Sequence, residues 1–241
     1  MQERKPVCLW SGPRNVSTAL MYSFRQHPDI RVVDEPLYAH YLRVSGAAHP
    51  GRDAVLAAQD PDGDAVMRAL LMAPRPPRLF LKQMAHHTLE LDLGFLPDAD
   101  HLLLIRDPHD MLPSLTIQLP GAALPDTGLD RQVELYELIA AAGRPPAVID
   151  ARLLLDDPPR VLERVCRYLA LDFDVAMLRW PRGPKPEDGV WAPHWYSAVH
   201  ESTAFGAYRA KPALPERLRG LYEQAKPLYE RLRAHATSPA A

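Results

Sequence analysis

Cysteine is nearly absent: the 241-residue chain holds only Cys8 and Cys166. Each sits in an apolar run, so both read as small buried hydrophobes rather than a disulfide or redox pair, suited to a reducing cytoplasm. An excess of one charge is also missing. Lys and Arg number 28 against 30 Asp and Glu, for a formal net charge of −2. That balance argues against a broad nucleic-acid or anionic-membrane surface and makes any anion site a local one. No apolar run approaches the ~18 residues of a membrane span. Met1-Gln2-Glu3-Arg4-Lys5-Pro6 leads straight into a strand-like stretch, so no signal peptide is expected. Histidine pairs at ligand spacing are lacking too. His86 and His87 are neighbours and His194 and His200 are six apart, whereas one helical face wants three or four, so no metal is expected. Proline, by contrast, is plentiful at 26 residues. It gathers at element ends such as Pro74-Arg75-Pro76-Pro77, punctuating an ordered domain.

Short apolar runs at 6–11, 30–34, 78–82, 100–105 and 146–150 read as buried strands. Helical patterns at about 17–26, 52–59, 64–73, 109–118, 128–143, 158–169 and 213–235 separate most of them. The alternation predicts an α/β fold: one domain over 1–241, with a central parallel sheet of about five strands flanked by helices. Residues 43–77 look like a helical insertion, and the tail after about 234 looks frayed. The 213–235 stripe of Leu214, Leu218, Leu221, Leu228 and Leu232 suits packing, with a homodimer contact as a further use. Ligands in such sheets sit at the carboxyl ends of strands, where Arg14, Glu35, Lys82, Arg106 and Asp150 all fall.

The most informative stretch is Ser11-Gly12-Pro13-Arg14-Asn15-Val16-Ser17-Thr18, which joins the first strand to the first helix. A helix starting here aims free N–H groups and its positive dipole end at the loop, a geometry suited to phosphate. Arg14 adds a forked cation, and Ser17 and Thr18 add hydroxyls. The loop lacks the second Gly and the Lys of a nucleotide-kinase loop. A second strand, His101-Leu102-Leu103-Leu104-Ile105, ends in Arg106-Asp107-Pro108, and Ser114 follows Arg106 by eight residues, roughly two helical turns.

Together these two segments resemble the superfamily of sulfotransferases that use 3′-phosphoadenosine 5′-phosphosulfate (PAPS). The resemblance implies a P-loop-like sulfotransferase fold and a sulfuryl transfer to a hydroxyl, less readily an amine, of a small molecule. It places Arg14, Asn15, Val16, Ser17 and Thr18 around the 5′-phosphosulfate, and Arg106 and Ser114 around the 3′-phosphate. Val16 stands where that family often has Gly. Lys82 would touch the phosphosulfate, while Arg209 with Gly206 would close a late loop over the nucleotide. Trp191 or Trp195 would line the acceptor pocket. Arg14 would stabilise the leaving phosphate, and no metal is required.

For the base, Glu35 competes with His86 and His87. A strand-end Glu35 points into the crevice, with Asp34 turned away or capping the next turn; some bacterial-type members use a Glu in that region. Members often carry Lys-x-His after the third strand, but in Lys82-Gln83-Met84 a Met takes that place, leaving His86 to reach back. Two other readings stay open. One is a nucleotide-dependent kinase with Asp34 or Asp150 as magnesium partners; the other is a non-catalytic nucleotide-binding protein.

Overall fold

The computed structural model describes residues 5–74 and 76–236. Five parallel strands form one sheet in the order β2-β3-β1-β4-β5. They are β1 (Val7–Ser11), β2 (Ile30–Asp34), β3 (Arg78–Met84), β4 (Asp100–Ile105) and β5 (Ala147–Asp150). The helices of the first half are α1 (Ser17–Arg25), α2 (Tyr38–Ser45), α3 (Arg52–Ala58), α4 (Gly63–Leu71) and α5 (Pro108–Gln118). After them come α6 (Leu124–Thr127), α7 (Leu129–Ala141), α8 (Ala151–Asp156) and α9 (Pro158–Tyr168). The chain closes with α10 (Ala192–Trp195), α11 (Ser197–His200) and α12 (Arg219–Arg233).

Strand alternation sorts the core into two layers. Cys8, Trp10, Leu81, Leu103 and Ile105 face α5, α7 and α12. Val7, Leu9, Phe80, Leu102 and Leu104 face α1, α8 and α9. With both sheet faces covered, the strands are continuous apolar runs, as a parallel sheet requires. Burial pushes the Cys8 thiol far up and the Cys166 thiol up to about 11, so both stay protonated. A third cluster, Tyr38, Leu42, Val55, Trp191 and Tyr196, ties the β2–β3 connection to the late chain.

Residues 43–77 lie within the crossover from β2 to β3, where α3 and α4 form and α2 starts before them. The prolines are not all at element ends, since Pro113 and Pro227 lie inside α5 and α12. At the expected frayed end, Ala236 bridges to Val148 and His235 stacks on Tyr136; residues 237–241 lie outside the described residues. Among the described residues, no helix is long and apolar enough to cross a membrane.

Candidate active site at the carboxyl end of the sheet

β1 lies between β3 and β4, so the chain leaves it toward β2 on one side and later crosses to β4 on the other. The crevice at this switch point is where α/β sheets hold ligands. The connection from β1 to α1 turns through two left-handed residues, Arg14 (φ 58°) and Val16 (φ 58°). Val16 is β-branched, and that conformation strains it, which is why Gly suits such a position. Val16 is also the N-cap of α1 and caps no N–H with its side chain. The first N–H groups of α1 are therefore left to face the crevice.

Asn15 is pinned beneath the loop, where its amide donates to Leu104 O at 3.0 Å. Gln132 of α7 donates to the same oxygen at 2.9 Å and to Trp10 O at 3.0 Å. Asn15 Oδ1 is buried without a hydrogen-bond partner. At Gly12 a Cβ would lie 2.5 Å from Thr127 O, so the loop and the α6–α7 corner approach more closely than any side chain allows.

A cavity of about 490 Å³ opens over this loop. Arg14, Ser17 and Thr18 line it from the loop, Arg106 and Ser114 from the end of β4 and α5, and Glu35 from the end of β2. The two expected cationic elements are in direct contact. Arg14 Nε donates to Ser114 Oγ at 2.9 Å, and Arg106 Nη1 donates to Arg14 O at 2.6 Å. Neither guanidinium has a carboxylate within 4 Å among the described residues. Burial lowers the pKa of both; at Arg106, Asp110 opposes that effect while Arg14 adds to it. Two part-buried cations side by side with no carboxylate in direct contact among the described residues fit an anion of more than one charge.

The acidic group differs from expectation. Asp34 and Glu35 turn to the same side, because Glu35 is left-handed (φ 37°) and breaks the strand alternation. Both reach Lys82, which is 1% exposed. Its ammonium donates to Glu35 Oε1, to Asp34 Oδ1 at 3.1 Å and to Tyr196 OH at 2.7 Å. Three acceptors use all three of its protons, and Lys82 also lines the cavity beside Glu35. The Tyr196 hydroxyl also lies 2.8 Å from Asp34 Oδ2 and accepts from Trp191 Nε1 at 3.1 Å. Burial chiefly, opposed by Lys82, pushes Asp34 up to about 6. Nothing in the sequence signalled Tyr196, which reaches the cluster from 114 residues beyond Lys82.

His86 and His87 lie in a 3₁₀ turn after β3 (Ala85–Thr88) and line the cavity. Burial takes His86 down to about 3 and His87 well below the usual imidazole value. Trp195 and Gly206 line the cavity, whereas Trp191 is buried beneath it. Arg209 is exposed and does not line it. Asp150 is engaged elsewhere: it caps α8 and accepts from Tyr229 OH at 2.7 Å. Among the described residues no group of three His, Cys, Asp or Glu side chains is placed to hold a metal ion.

Fold and site define an α/β domain with a cationic loop at the switch point of its sheet and an acidic cluster across the same cavity. Residues 5–236 match the family model described as a sulfotransferase domain, and the chain belongs to that family. Two Arabidopsis thaliana proteins, branched-chain-amino-acid aminotransferase-like protein 2 and protein 1, are 39% identical over 229 residues and 40% identical over 238. Those matches take in 94% and 98% of this chain but 41% and 43% of the relatives. The chain thus spans about two fifths of their length, and their names describe the whole relatives. A solved sulfotransferase from Alicyclobacillus acidocaldarius shares the fold, with a TM-score of 0.57 at 17% identity over 99% of this chain and 98% of that one.

Proposed function

We propose that this domain moves a sulfuryl group from PAPS to a hydroxyl, less readily an amine, of a small molecule by in-line displacement. The observation that carries this reading is the Arg14–Arg106 pair, two cations sharing one cavity with no carboxylate within 4 Å of either among the described residues. When bound, PAPS supplies an electrophilic sulfur and a leaving phosphate. The uncapped N–H groups of α1, the Ser17 and Thr18 hydroxyls and Arg14 would hold the phosphosulfate end. Arg106 and Ser114 would hold the 3′-phosphate. Because Arg14 contacts both Ser114 and, through its carbonyl, Arg106, the two ends share one frame.

Glu35 is the proposed base. Its Oε1 is anchored by Lys82, while Oε2 takes no hydrogen bond from the described residues. One fixed oxygen and one open oxygen suit a carboxylate that must accept a proton in a set direction. His86, depressed to about 3, is too weak a base to compete near neutral pH. The magnesium-kinase reading lacks equal support, since Asp150 is consumed by capping α8.

Calorimetric titration with adenosine 3′,5′-bisphosphate, set against ATP with magnesium, tests the donor. Tighter binding of the bisphosphate, with sulfate transferred from labelled PAPS to an acceptor panel, is the expected result. A preference for ATP with magnesium would overturn the reading.

A further inference from the structure

Six of the residues lining the cavity form a cluster of rings. Tyr38 and Tyr41 sandwich His87, with centroids at 4.9 and 4.8 Å and interplanar angles of 11° and 21°. His86 meets Tyr41 edge-on at 4.9 Å, and His49 meets Trp195 edge-on at 6.3 Å. The Tyr38 hydroxyl and His49 Nδ1 are 2.9 Å apart. All six residues line the cavity. Aromatic faces and edges at such spacings favour another planar ring over a saturated one of equal size.

Glu35 and Asp126 line the cavity, and both act on His49. Burial holds the three imidazoles below their ordinary value, so they bring no positive charge. The Lys82 ammonium is already matched by Asp34 and Glu35. An acceptor bearing a carboxylate beside these rings would therefore meet repulsion from Glu35 and Asp126, with the neighbouring Lys82 already matched and Arg14 and Arg106 engaged by the donor.

We infer that the acceptor is a planar aryl alcohol carrying no anionic group, held against the wall of Tyr38, Tyr41, His49, His86, His87 and Trp195. The inference rests on the sulfuryl-transfer reading. In the transfer, the aryl oxygen forms the new O–S bond. The S–O bond to the donor's phosphate breaks with its electron pair left on that phosphate, and the hydroxyl proton passes to Glu35 Oε2.

The test uses three probes on one fused two-ring frame: 2-naphthol, its saturated counterpart decahydro-2-naphthol, and 6-hydroxy-2-naphthoate, which adds a carboxylate. Each is titrated into the full chain with and without adenosine 3′,5′-bisphosphate, and kcat/KM is compared with PAPS as donor. The expected result is 2-naphthol binding about tenfold or more tightly than either alternative, with turnover in the same order. Tyr41→Leu and Trp195→Leu should each weaken 2-naphthol binding about three- to tenfold, and Tyr41→Phe should retain it. Equal or better binding of the naphthoate or the saturated alcohol, or no binding of 2-naphthol, overturns the inference. Bisphosphate binding without naphthol binding sinks the acceptor class alone. Selective naphthol binding without bisphosphate binding sinks the donor reading and leaves the ring wall standing.

Discussion

Position 35 shows how one backbone angle redirects chemistry. Alternation along β2 predicts Asp34 and Glu35 on opposite sides, and nothing in Val-Val-Asp-Glu-Pro marks Glu35 as left-handed, since the conformation is rare outside Gly and Asn. The strand end and Glu35 itself were legible, but the pairing of both carboxylates on Lys82 was not. A pH effect follows. The folded protein holds Asp34 near 6, against 3.8 for the free group, so between those values the folded state binds the extra proton. This group's contribution to stability is full below about pH 4 and falls as pH rises through 6. Urea midpoints of the wild type should therefore decline across that window relative to those of Asp34→Asn; parallel curves would contradict this. At Arg14, replacement by Ala should cut kcat by about 10²–10³ with a smaller loss of bisphosphate affinity. Single-turnover assays alongside calorimetry separate the two, and unchanged turnover would remove Arg14 from the chemistry.

At the scale of elements, the strands were readable because a sheet buried on both faces demands short apolar runs bounded by breaks. Helices with amphipathic patterns emerged too, with ends displaced by a few residues. α2 escaped notice, because its eight residues follow Pro36 and mix Tyr, His and Arg with few aliphatics. The strand 78–82 continues to Met84, which carries His86 and His87 past the sheet edge into the ring wall. The Arg14–Ser114 contact was hidden as well, because a spacing of eight along one segment says nothing about a loop 100 residues away. The turn between β1 and α1 makes its own prediction. Val16→Gly should relieve left-handed strain and raise unfolding stability by up to about 1 kcal/mol, seen as a higher denaturant midpoint. A lower midpoint would mean that packing of the Val16 side chain on the α1 layer outweighs the strain.

For the molecule as a whole, the late chain is stitched to the sheet through Tyr196, whose hydroxyl joins Lys82, Asp34 and Trp191 in one buried knot. Tyr196→Phe leaves these groups a partner short, at a cost of about 1–3 kcal/mol. Residues 180–208 should then open more often, and limited proteolysis should cut there sooner than in the wild type. Equal cleavage rates would show that the apolar cluster around Trp191 holds the segment by itself. Sequence periodicity could not forecast this docking, because residues 180–208 follow no repeat and owe their place to contacts with α2, β2 and β3.

The two buried thiols have a practical corollary. With Cys8 and Cys166 kept protonated inside the core, neither should react with a maleimide at neutral pH. Ala198→Cys, at an exposed position on the cavity rim, would then be the single labelling point. A fluorophore attached there would report the movement of the late segment in a chain that keeps both of its native cysteines.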